Sequence, residues 1–398
     1  MMHPQRRLGA FIVAALCTAL CAEPAHGQAP PRRIEIGRPT GTLDETFNLV
    51  TSISELRDGR IIVSDDRDNS LYIGNFRSRS AAVLGRTGRG PREYSRVAFL
   101  WSVSDDSTFM QNQFDRRWLV LVGGTIADPP VPDLPWVRTA QSPGRRFPVM
   151  GFDHNGNVVA VRLVGTVTPP ESLEVVRISR GTGRATVVTQ VGVQDPPIRR
   201  GGTVTVTVTP GPPGPDDIFH IPFLSVDAVA VFPDGWIAVA RNDPYRVDWC
   251  AASVPGVHGP TLIGTPPRLT DAAKQAYLNN LAANGKSIVT RIITYNVPLA
   301  RTTGWSDRAP PFVERGYSTA GTAPVLPVPD GRLLVERVGT DGKASSQYDV
   351  IDRQGAIAGQ IELPGNQRIV GFGRNTAYIA RTDEDGLKHL TRHPWPKE

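Results

Sequence analysis

One short motif recurs through the sequence: a tight-turn dipeptide followed by four or five residues that favour β-structure. Three clear copies read LRDGRIIVSD from Leu56, FPDGWIAVAR from Phe232 and VPDGRLLVER from Val328. Three looser copies begin at Val103, Asp153 and Phe372. Asp-Gly and Asn-Gly between apolar runs are strong hairpin signals, because both central residues must accept a positive φ. Each copy therefore predicts a tight turn between two antiparallel strands.

The spacing of these turns predicts the architecture. They lie near residues 58, 105, 155, 234, 330 and 374, and three of the intervals are about 44 to 50 residues. That is the length of one four-stranded propeller blade. Further strand-like runs follow the turns, such as SLYIGNF and SAAVLG after the first. We therefore expect an all-β fold, a six-bladed β-propeller with four-stranded blades, formed as a single domain by residues 32–398.

The two long intervals contain insertions, at about 201–217 and 266–300. The first, GGTVTVTVTPGPPGPDD, alternates Val and Thr as an extended strand does and ends in a Pro/Gly-rich loop. The second contains LTDAAKQAYLNNLAANGK, in which Thr270 suits a helix N-cap and Gly285 a C-terminal stop. One short helical insertion is therefore expected.

The last copy of the motif leaves little chain for a complete blade. The segment RRIEIGRP, Arg32 to Pro39, is strand-like and has no partner of its own. We expect this N-terminal strand to complete the last blade, which would close the ring and remove two exposed sheet edges.

The N-terminus has the pattern of a secretory signal peptide. Arg6 and Arg7 precede an apolar run from Leu8 to Ala22, and we place cleavage after Gly27. Residues 1–27 would then be removed, and the mature protein would be secreted or periplasmic. No later stretch is apolar enough to cross a bilayer, so no transmembrane segment is expected.

Composition limits the partners and the redox chemistry. A net charge of +6 is weak for a nucleic-acid-binding protein, and none of that class is expected as a partner. Cleavage would leave Cys250 as the one cysteine, so the mature fold would contain no internal disulfide. A role for Cys250 as a small buried hydrophobic residue is favoured over a catalytic one.

A glycine-rich segment near residue 84, LGRTGRGPREY, raises the question of a nucleotide site. A dinucleotide-binding loop needs the order G-x-G-x-x-G leading into a helix. Here the order is G-x-x-G-x-G, Pro91 follows, and the next apolar run is β-like. The segment is instead expected to end the first blade, before the inner strand of the second.

Together with DGRIIVSDDRDNSLYIGNF, this segment resembles an NHL-type repeat. The matching residues of this one blade are Asp58, Gly59, Asp65, Asn69, Gly85, Gly88, Gly90, Pro91, Glu93 and Tyr94. As a whole the chain resembles the secreted bacterial six-bladed β-propeller proteins. That resemblance implies the architecture and leaves the chemistry open, because the family has no agreed activity.

No catalytic motif is evident, and neither a cofactor nor a metal ligand set is predicted. The sequence contains no G-x-S-x-G elbow, H-E-x-x-H pair or paired C-x-x-C. Some propeller enzymes hold a metal in the central channel with side chains from different blades. The alternative is therefore a hydrolase or lyase with a channel metal, to which His154 and His220 would contribute.

Alignment of the six copies brings together one set of candidate ligand-binding residues. The sixth residue after each turn is, in order, Asp65, Asn112, Arg162, Arg241, Arg337 and Arg381. Equivalent positions lie at one height around a propeller, so these residues should surround one end of the second strands. Arginine has a planar fork suited to carboxylate or phosphate.

We therefore expect a monomeric binding module for a small anionic ligand or a protein partner. Two other interpretations remain open. Each arginine would pair with a carboxylate of a neighbouring blade, or the two insertions would make the contacts to a partner. Trp101, Trp118 and Trp305 would either form the floor of a pocket or lie in the core.

Overall fold

A computed structural model describes residues 31–97, 99–104, 106–111, 118–127, 149–163, 172–192, 227–251, 256–262, 268–273, 309, 311–312, 324–338 and 345–396. For Gln111, Arg162, Leu163 and Ser172 it describes the backbone alone. The predicted signal peptide, the insertion at 201–217, most of the insertion at 266–300, Asn112, His220 and Trp305 lie outside the described residues. The described strands form six antiparallel sheets of four strands each, which confirms the predicted all-β, six-bladed architecture.

The first half of the chain contains blades 1 to 3. The first strand, β1 (Gly41–Phe47), belongs to the last blade. Blade 1 consists of β2 (Val50–Glu55), β3 (Ile61–Asp65), β4 (Ser70–Asn75) and β5 (Ser80–Val83), and a parallel ladder of β6 (Arg86–Thr87) and β7 (Glu93–Tyr94) follows. Blade 2 consists of β8 (Leu100–Ser104), β9 (Ser107–Gln111), β10 (Trp118–Val122) and β11 (Thr125–Ile126). Blade 3 consists of β12 (Val149–Phe152), β13 (Val158–Leu163), β14 (Ser172–Ile178) and β15 (Ala185–Gly192).

The second half completes the ring. Blade 4 consists of β16 (Ala228–Val231), β17 (Ile237–Asn242), β18 (Tyr245–Cys250) and β19 (Val257–His258). Blade 5 consists of β20 (Val325–Pro327), β21 (Leu333–Glu336), β22 (Ser345–Ile351) and β23 (Ile357–Pro364). Blade 6 consists of β24 (Gln367–Gly373), β25 (Thr376–Thr382), β26 (Lys388–Pro394) and β1. First strands of neighbouring blades contact one another, β2 with β24 and β8, β12 with β8 and β16, and β16 with β20.

Six apolar clusters fill the six junctions between neighbouring blades. At the junction of blades 4 and 5, Phe232 and Trp249 pack with Val335 and Ile351. The remaining clusters join blades 2 and 3, 6 and 1, 1 and 2, 5 and 6, and 3 and 4. Removal of apolar surface from water stabilises by roughly 25 cal/mol per Å². Because every junction contains such a cluster, each blade is stabilised by burial of its two apolar faces against its two neighbours, as expected for a repeat fold.

The predicted turns all connect the first strand of a blade to the second. Glycine alone takes a positive φ in the clear copies, for example +84° at Gly59, so the prediction that both central residues do so is wrong for these turns. In blade 1, Gly59 N donates to Leu56 O at 3.0 Å and Leu56 N to Arg60 O at 2.8 Å. This is a type I turn followed by a glycine bulge. Asp58 Oδ1 accepts from Arg60 N at 3.0 Å, which explains why an aspartate precedes the glycine in this turn.

The glycine-rich segment LGRTGRGPREY connects β5 to β8, as predicted. Gly85 has a φ of +72°, a conformation that favours glycine. The Glu93 carboxylate accepts from Gly90 N at 2.7 Å, and the Tyr94 hydroxyl accepts from Leu71 N at 3.1 Å. The first contact closes the turn within the segment, and the second fastens the segment to β4 of blade 1.

An N-terminal strand closes the ring, as predicted, but it is not the segment Arg32 to Pro39. The closing strand is β1, which pairs antiparallel with β26. Residues 32–36, here called the N-terminal strap, lie along β23 of blade 5, where Ile34 N donates to Gln360 O at 2.8 Å. Ile34 and Ile36 pack against the cluster between blades 5 and 6. The strand-like pattern of the strap therefore reflects burial on a different blade.

The described part of the second insertion begins with a helical turn at 271–273. Ala273 N donates to Thr270 Oγ1 at 3.1 Å, so the predicted N-cap is confirmed. Leu269, Ala273 and Ala309 form a small apolar cluster with Val338 at the end of blade 5. Among the residues that the structure describes, no helix is long and apolar enough to span a bilayer.

Candidate functional site

The candidate ligand-binding residues occupy equivalent backbone positions where the structure describes them. Asp65 ends β3, and Arg162, Arg241 and Arg381 are each the penultimate residue of a second strand. Arg337 directly follows β21. The end of the propeller at which they lie carries the turns between second and third strands and is called the strand 2–3 face below. The opposite end, with the Asp-Gly turns, is called the strand 1–2 face.

Asp65 is fully buried and serves as a cap for the neighbouring backbone. Its carboxylate accepts from Asn48 N at 2.7 Å, Leu49 N at 2.9 Å and Asp68 N at 3.4 Å. Burial raises the pKa of this carboxyl, and the three N–H donors offset that rise only in part. The contacts connect the end of β1 to the turn after β3.

Arg241 is surrounded by acceptors. Its Nε donates to Asp248 Oδ2 at 2.8 Å, and its Nη1 donates to Asp227 Oδ2 at 2.8 Å and Gln190 O at 2.6 Å. Its Nη2 donates to Thr189 Oγ1 at 3.2 Å. Because Gln190 and Thr189 belong to β15, this guanidinium fastens blade 4 to the outer strand of blade 3.

The charges around Arg241 compensate one another. Burial alone would lower the pKa of Arg241, but hydrogen bonds to Asp248 and Asp227 outweigh burial and raise it. Burial likewise acts to raise the pKa of Asp248, and Arg241 and Arg246 together hold that pKa below its usual value. Both groups therefore remain charged, although Asp248 is only 2% exposed.

Arg337 is held in place with fewer partners. Its Nη1 donates to Asp349 Oδ2 at 3.1 Å, and its guanidinium carbon lies 4.9 Å from the centre of the Tyr245 ring. The Tyr245 hydroxyl and Gln360 Nε2 also donate to Asp349, at 2.8 and 2.7 Å. Burial and the Asp349 charge raise the pKa of Tyr245 well above its usual value, so its hydroxyl stays protonated.

Arg241 and Arg337 share one local arrangement that their neighbours lack. Asp248 and Asp349 each pair in register with the residue two positions before the arginine, so each lies diagonally opposite it on the third strand. The corresponding residue in blade 6 is Thr391. Within the described part of the chain, Arg381 accordingly has no carboxylate partner, and its side chain is exposed.

The chain segment between the second insertion and blade 5 contacts the same region as Arg337. Phe312 forms an antiparallel bridge with Arg337, and its ring centre lies 6.0 Å from that of Tyr245. Phe312 is 1% exposed. This segment is therefore anchored beside the guanidinium, and Leu269 and Ala273 of the insertion pack against Val338 nearby.

A second set of arginines, which the alignment of the copies missed, joins blades on the strand 1–2 face. Arg374 donates to Arg57 O at 2.6 Å between blades 6 and 1, and Arg60 donates to Gly123 O at 3.0 Å between blades 1 and 2. The other contacts of this kind are Arg177 to Gly235 O, Arg353 to Asp234 and Arg332 to Pro396 O. The arginine after the glycine in DGR, at Arg60 and Arg332, is the one sequence signal for this set.

Other candidate residues have ordinary structural surroundings. Trp118 is buried in the cluster between blades 2 and 3, and Trp101 packs against it with ring centres 5.5 Å apart. Cys250 is a free, half-buried thiol whose pKa is raised by burial. His154 N donates to Pro233 O at 2.8 Å. In the described ranges no three His, Cys, Asp or Glu side chains are grouped to hold a metal ion, and the metal-dependent alternative stays a prediction.

An open cavity of about 340 Å³ lies between the outer parts of blades 1 and 2. Its lining consists of Leu84, Gly85, Arg92, Thr125 and Ile126. The cavity is distant in the ring from Arg241 and Arg337, which lie on blades 4 and 5, and it contains no catalytic pair of side chains.

Comparison with known proteins gives structural neighbours alone. No protein-family model and no curated protein matches the chain. A DUF4221 family member from Bacteroides vulgatus is 11% identical over 90% of this chain and 96% of its own, with a TM-score of 0.45. A protein from Bacteroides fragilis that is proposed to be exported is 10% identical over 92% and 98%, also with a TM-score of 0.45. An inactive virginiamycin B lyase variant from Staphylococcus aureus, solved with quinupristin, is 11% identical over 88% and 87%, with a TM-score of 0.37.

Proposed function

We propose that this protein is a binding module for a small anionic ligand, or for an acidic group on a partner protein, contacted on the strand 2–3 face. The observation that carries the proposal is the partial exposure of the Arg337 guanidinium and its few hydrogen-bond partners. Its side chain is 16% exposed, its Nη1 donates to Asp349 Oδ2 at 3.1 Å, and the guanidinium also lies within hydrogen-bond reach of the Tyr245 hydroxyl. A ligand would contact the partly exposed edge of this guanidinium.

The surroundings of Arg337 suit it to this role. The Tyr245 ring and Asp349 fix the plane of the guanidinium, so little side-chain entropy is lost when a ligand binds. Asp349 is fully buried and accepts from three donors, which leaves the guanidinium as the group that a ligand meets. A fixed planar fork favours bidentate contact with a carboxylate or phosphate.

The other candidate residues contribute in different ways. Arg381 would add a second positive charge on the same face, since its side chain is exposed. Arg162 and Asn112 stay in the proposal on their positions in the repeat. Arg241 and Asp65, with their many internal contacts, would shape the face and leave ligand contact to Arg337 and Arg381.

The proposal extends to cellular location, repeat type and oligomeric state. The sequence pattern of residues 1–27 supports export to the periplasm or beyond. The motif residues of blade 1 support an NHL-like repeat, and the described sheets pack against one another within one ring, which supports a single-chain unit. A monomer in solution is therefore expected.

The test is anion-dependent thermal stabilisation of the purified mature protein. Sodium citrate and sodium phosphate are compared with sodium chloride at equal ionic strength. A ligand at about 100 times its Kd stabilises the folded state by about 2.7 kcal/mol, so a rise in Tm is expected for at least one anion. The double variant R337A/R381A should lose that rise.

The matched control is R79A. Arg79 is an exposed arginine paired with Asp44, on the turn before the outer strand of blade 1. This variant should keep the full anion response. The proposal fails if no anion raises the Tm of the wild type, or if R337A/R381A responds as strongly as R79A does.

A further inference from the structure

Three aromatic side chains of blade 4 enclose the guanidinium of Arg353, a residue of blade 5. Its guanidinium carbon lies 4.4 Å from the ring centres of Phe232 and Trp249 and 5.3 Å from that of Trp236. Phe232 and Trp249 are almost completely buried, and Trp236 is half-buried. Cations within about 6 Å of an aromatic ring centre are attracted by the ring quadrupole.

The enclosure also has an acidic side. Arg353 Nη2 donates to Asp234 Oδ2 at 2.9 Å, and Asp234 belongs to the Asp-Gly turn of blade 4. On the blade 5 side, Gly331 leaves room for the guanidinium, because a Cβ there would lie 3.3 Å from Arg353 Nε. Three rings, one carboxylate and a gap beside a glycine match the flat shape and the charge of a guanidinium group.

The way Arg353 is held indicates that the rings supply most of the attraction. Its Nη1 is buried and has no hydrogen-bond partner among the residues that the structure describes. Asp234 offers one acceptor oxygen, and its side chain is 56% exposed. The Arg353 side chain is 24% exposed, and a partly buried cation with few hydrogen bonds persists where another favourable interaction offsets desolvation, which the three rings provide.

We propose that Phe232, Trp236, Trp249 and Asp234 form a binding site for a guanidinium group, which Arg353 of the next blade fills and which a free guanidinium ion can enter when that side chain is absent. The ligand class is thus an arginine side chain or a small planar cation. This site lies on the strand 1–2 face and is independent of the proposed anion contacts at Arg337.

The experiment is chemical rescue of R353A in the full mature chain. This variant should lose about 3–6 °C in Tm. Guanidinium chloride at low, non-denaturing concentration should restore at least half of that loss. Tetramethylammonium chloride should restore less, because it cannot donate to Asp234, and sodium chloride at equal ionic strength should restore none. Guanidinium should not stabilise the wild type, in which the site is filled.

Two controls make the result specific. R79A removes an exposed arginine that is paired with Asp44, and guanidinium should not raise its Tm. The double variant R353A/W236A should bind guanidinium at least fivefold more weakly than R353A in calorimetry. If R353A does not fold without added ligand, recovery of the folded state in guanidinium chloride but not in sodium chloride would equally support entry of guanidinium into the site. Equal effects of guanidinium and sodium on R353A would overturn the proposal.

Discussion

Tyr378 of the last blade donates its hydroxyl hydrogen to the carboxylate of Glu55 in the first blade. Thr376 Oγ1 donates to the same carboxylate oxygen at 2.8 Å, and Arg374 Nε lies 3.7 Å from the other. Burial and the charge of Glu55 raise the pKa of Tyr378 far above its usual value, so the phenol remains a donor. This cluster joins the ends of the ring on the strand 1–2 face.

Replacement of Glu55 should therefore destabilise the closed ring. E55A leaves the buried Tyr378 hydroxyl without its acceptor and should lower the free energy of unfolding by about 2 kcal/mol or more. E55Q keeps an acceptor oxygen and should cost less. The urea midpoint of unfolding measures both. E362A, which removes an exposed glutamate 3.7 Å from Arg33, should change stability by less than about 0.5 kcal/mol. A cost for E55A no larger than that of E362A would contradict this account of closure.

Alanine variants of two turn glycines, Gly59 and Gly235, should distinguish the cost of backbone strain from the cost of losing a contact between blades. Gly59 and Gly235 have φ of +84° and +89°, so alanine is strained at either position. A Cβ at Gly59 would meet nothing within 4 Å, whereas one at Gly235 would lie 2.5 Å from Arg177 Nη2. G59A should cost about 1 kcal/mol, and G235A should cost at least about 1 kcal/mol more. Thermal unfolding of the two variants tests this, and equal losses would show that the Arg177 contact adds nothing.

The N-terminal strap should be displaced by a single methyl group on blade 5. A Cβ at Gly359 would lie 2.5 Å from Ile34 Cδ1 and 2.9 Å from Arg32 O. G359A should therefore speed hydrogen exchange at the Ile34 amide by roughly tenfold or more. G181A, where a Cβ would meet nothing within 4 Å, serves as the control. Unchanged exchange at Ile34 in G359A would mean that the strap tolerates the added group.

Acid should weaken the Arg241 network through Asp248. The folded-state pKa of Asp248 is below the unfolded value of 3.8, so its contribution is complete above 3.8 and is lost as the pH falls through the lower folded value. D248N should cost about 2 to 3 kcal/mol at neutral pH and should flatten the decline of Tm below pH 3.8. D385N, on an exposed turn, should keep the wild-type slope. If Tm declined with acid pH as steeply in D248N as in the wild type, Asp248 would not be the group through which acid weakens the Arg241 network.

The blades could be predicted because their signals are local. The pairing of Asp58 with Arg60 N, and the positive φ of Gly59, depend on neighbours in sequence, and the same chemistry recurs in the turns of blades 4 and 5. The closing strand was assigned to the wrong segment because β1 and the strap both suit extended structure. The sheet edge against which β1 or the strap lies is determined by the completed ring, and no local sequence pattern specifies that edge.

The candidate site was predictable in position but not in partners. Counting from each turn places Arg241 and Arg337 correctly at the ends of second strands. Their aspartates, Asp248 and Asp349, lie on third strands and become visible once the strand register is known. The enclosure of Arg353 requires the angle between two blades, which the sequence of either blade leaves unspecified.

The pairing of β1 with β26 means that the first and last strands of the propeller lie in one sheet. During synthesis, blade 6 cannot be completed until the last residues have emerged, and until then blades 1 and 5 each keep an uncovered apolar face. Long-range closure of this kind is slow and leaves partly folded chains prone to aggregation. A circular permutant that begins at Gln367 would have the four strands of blade 6 contiguous in sequence, so that blade could form before the rest of the ring is made.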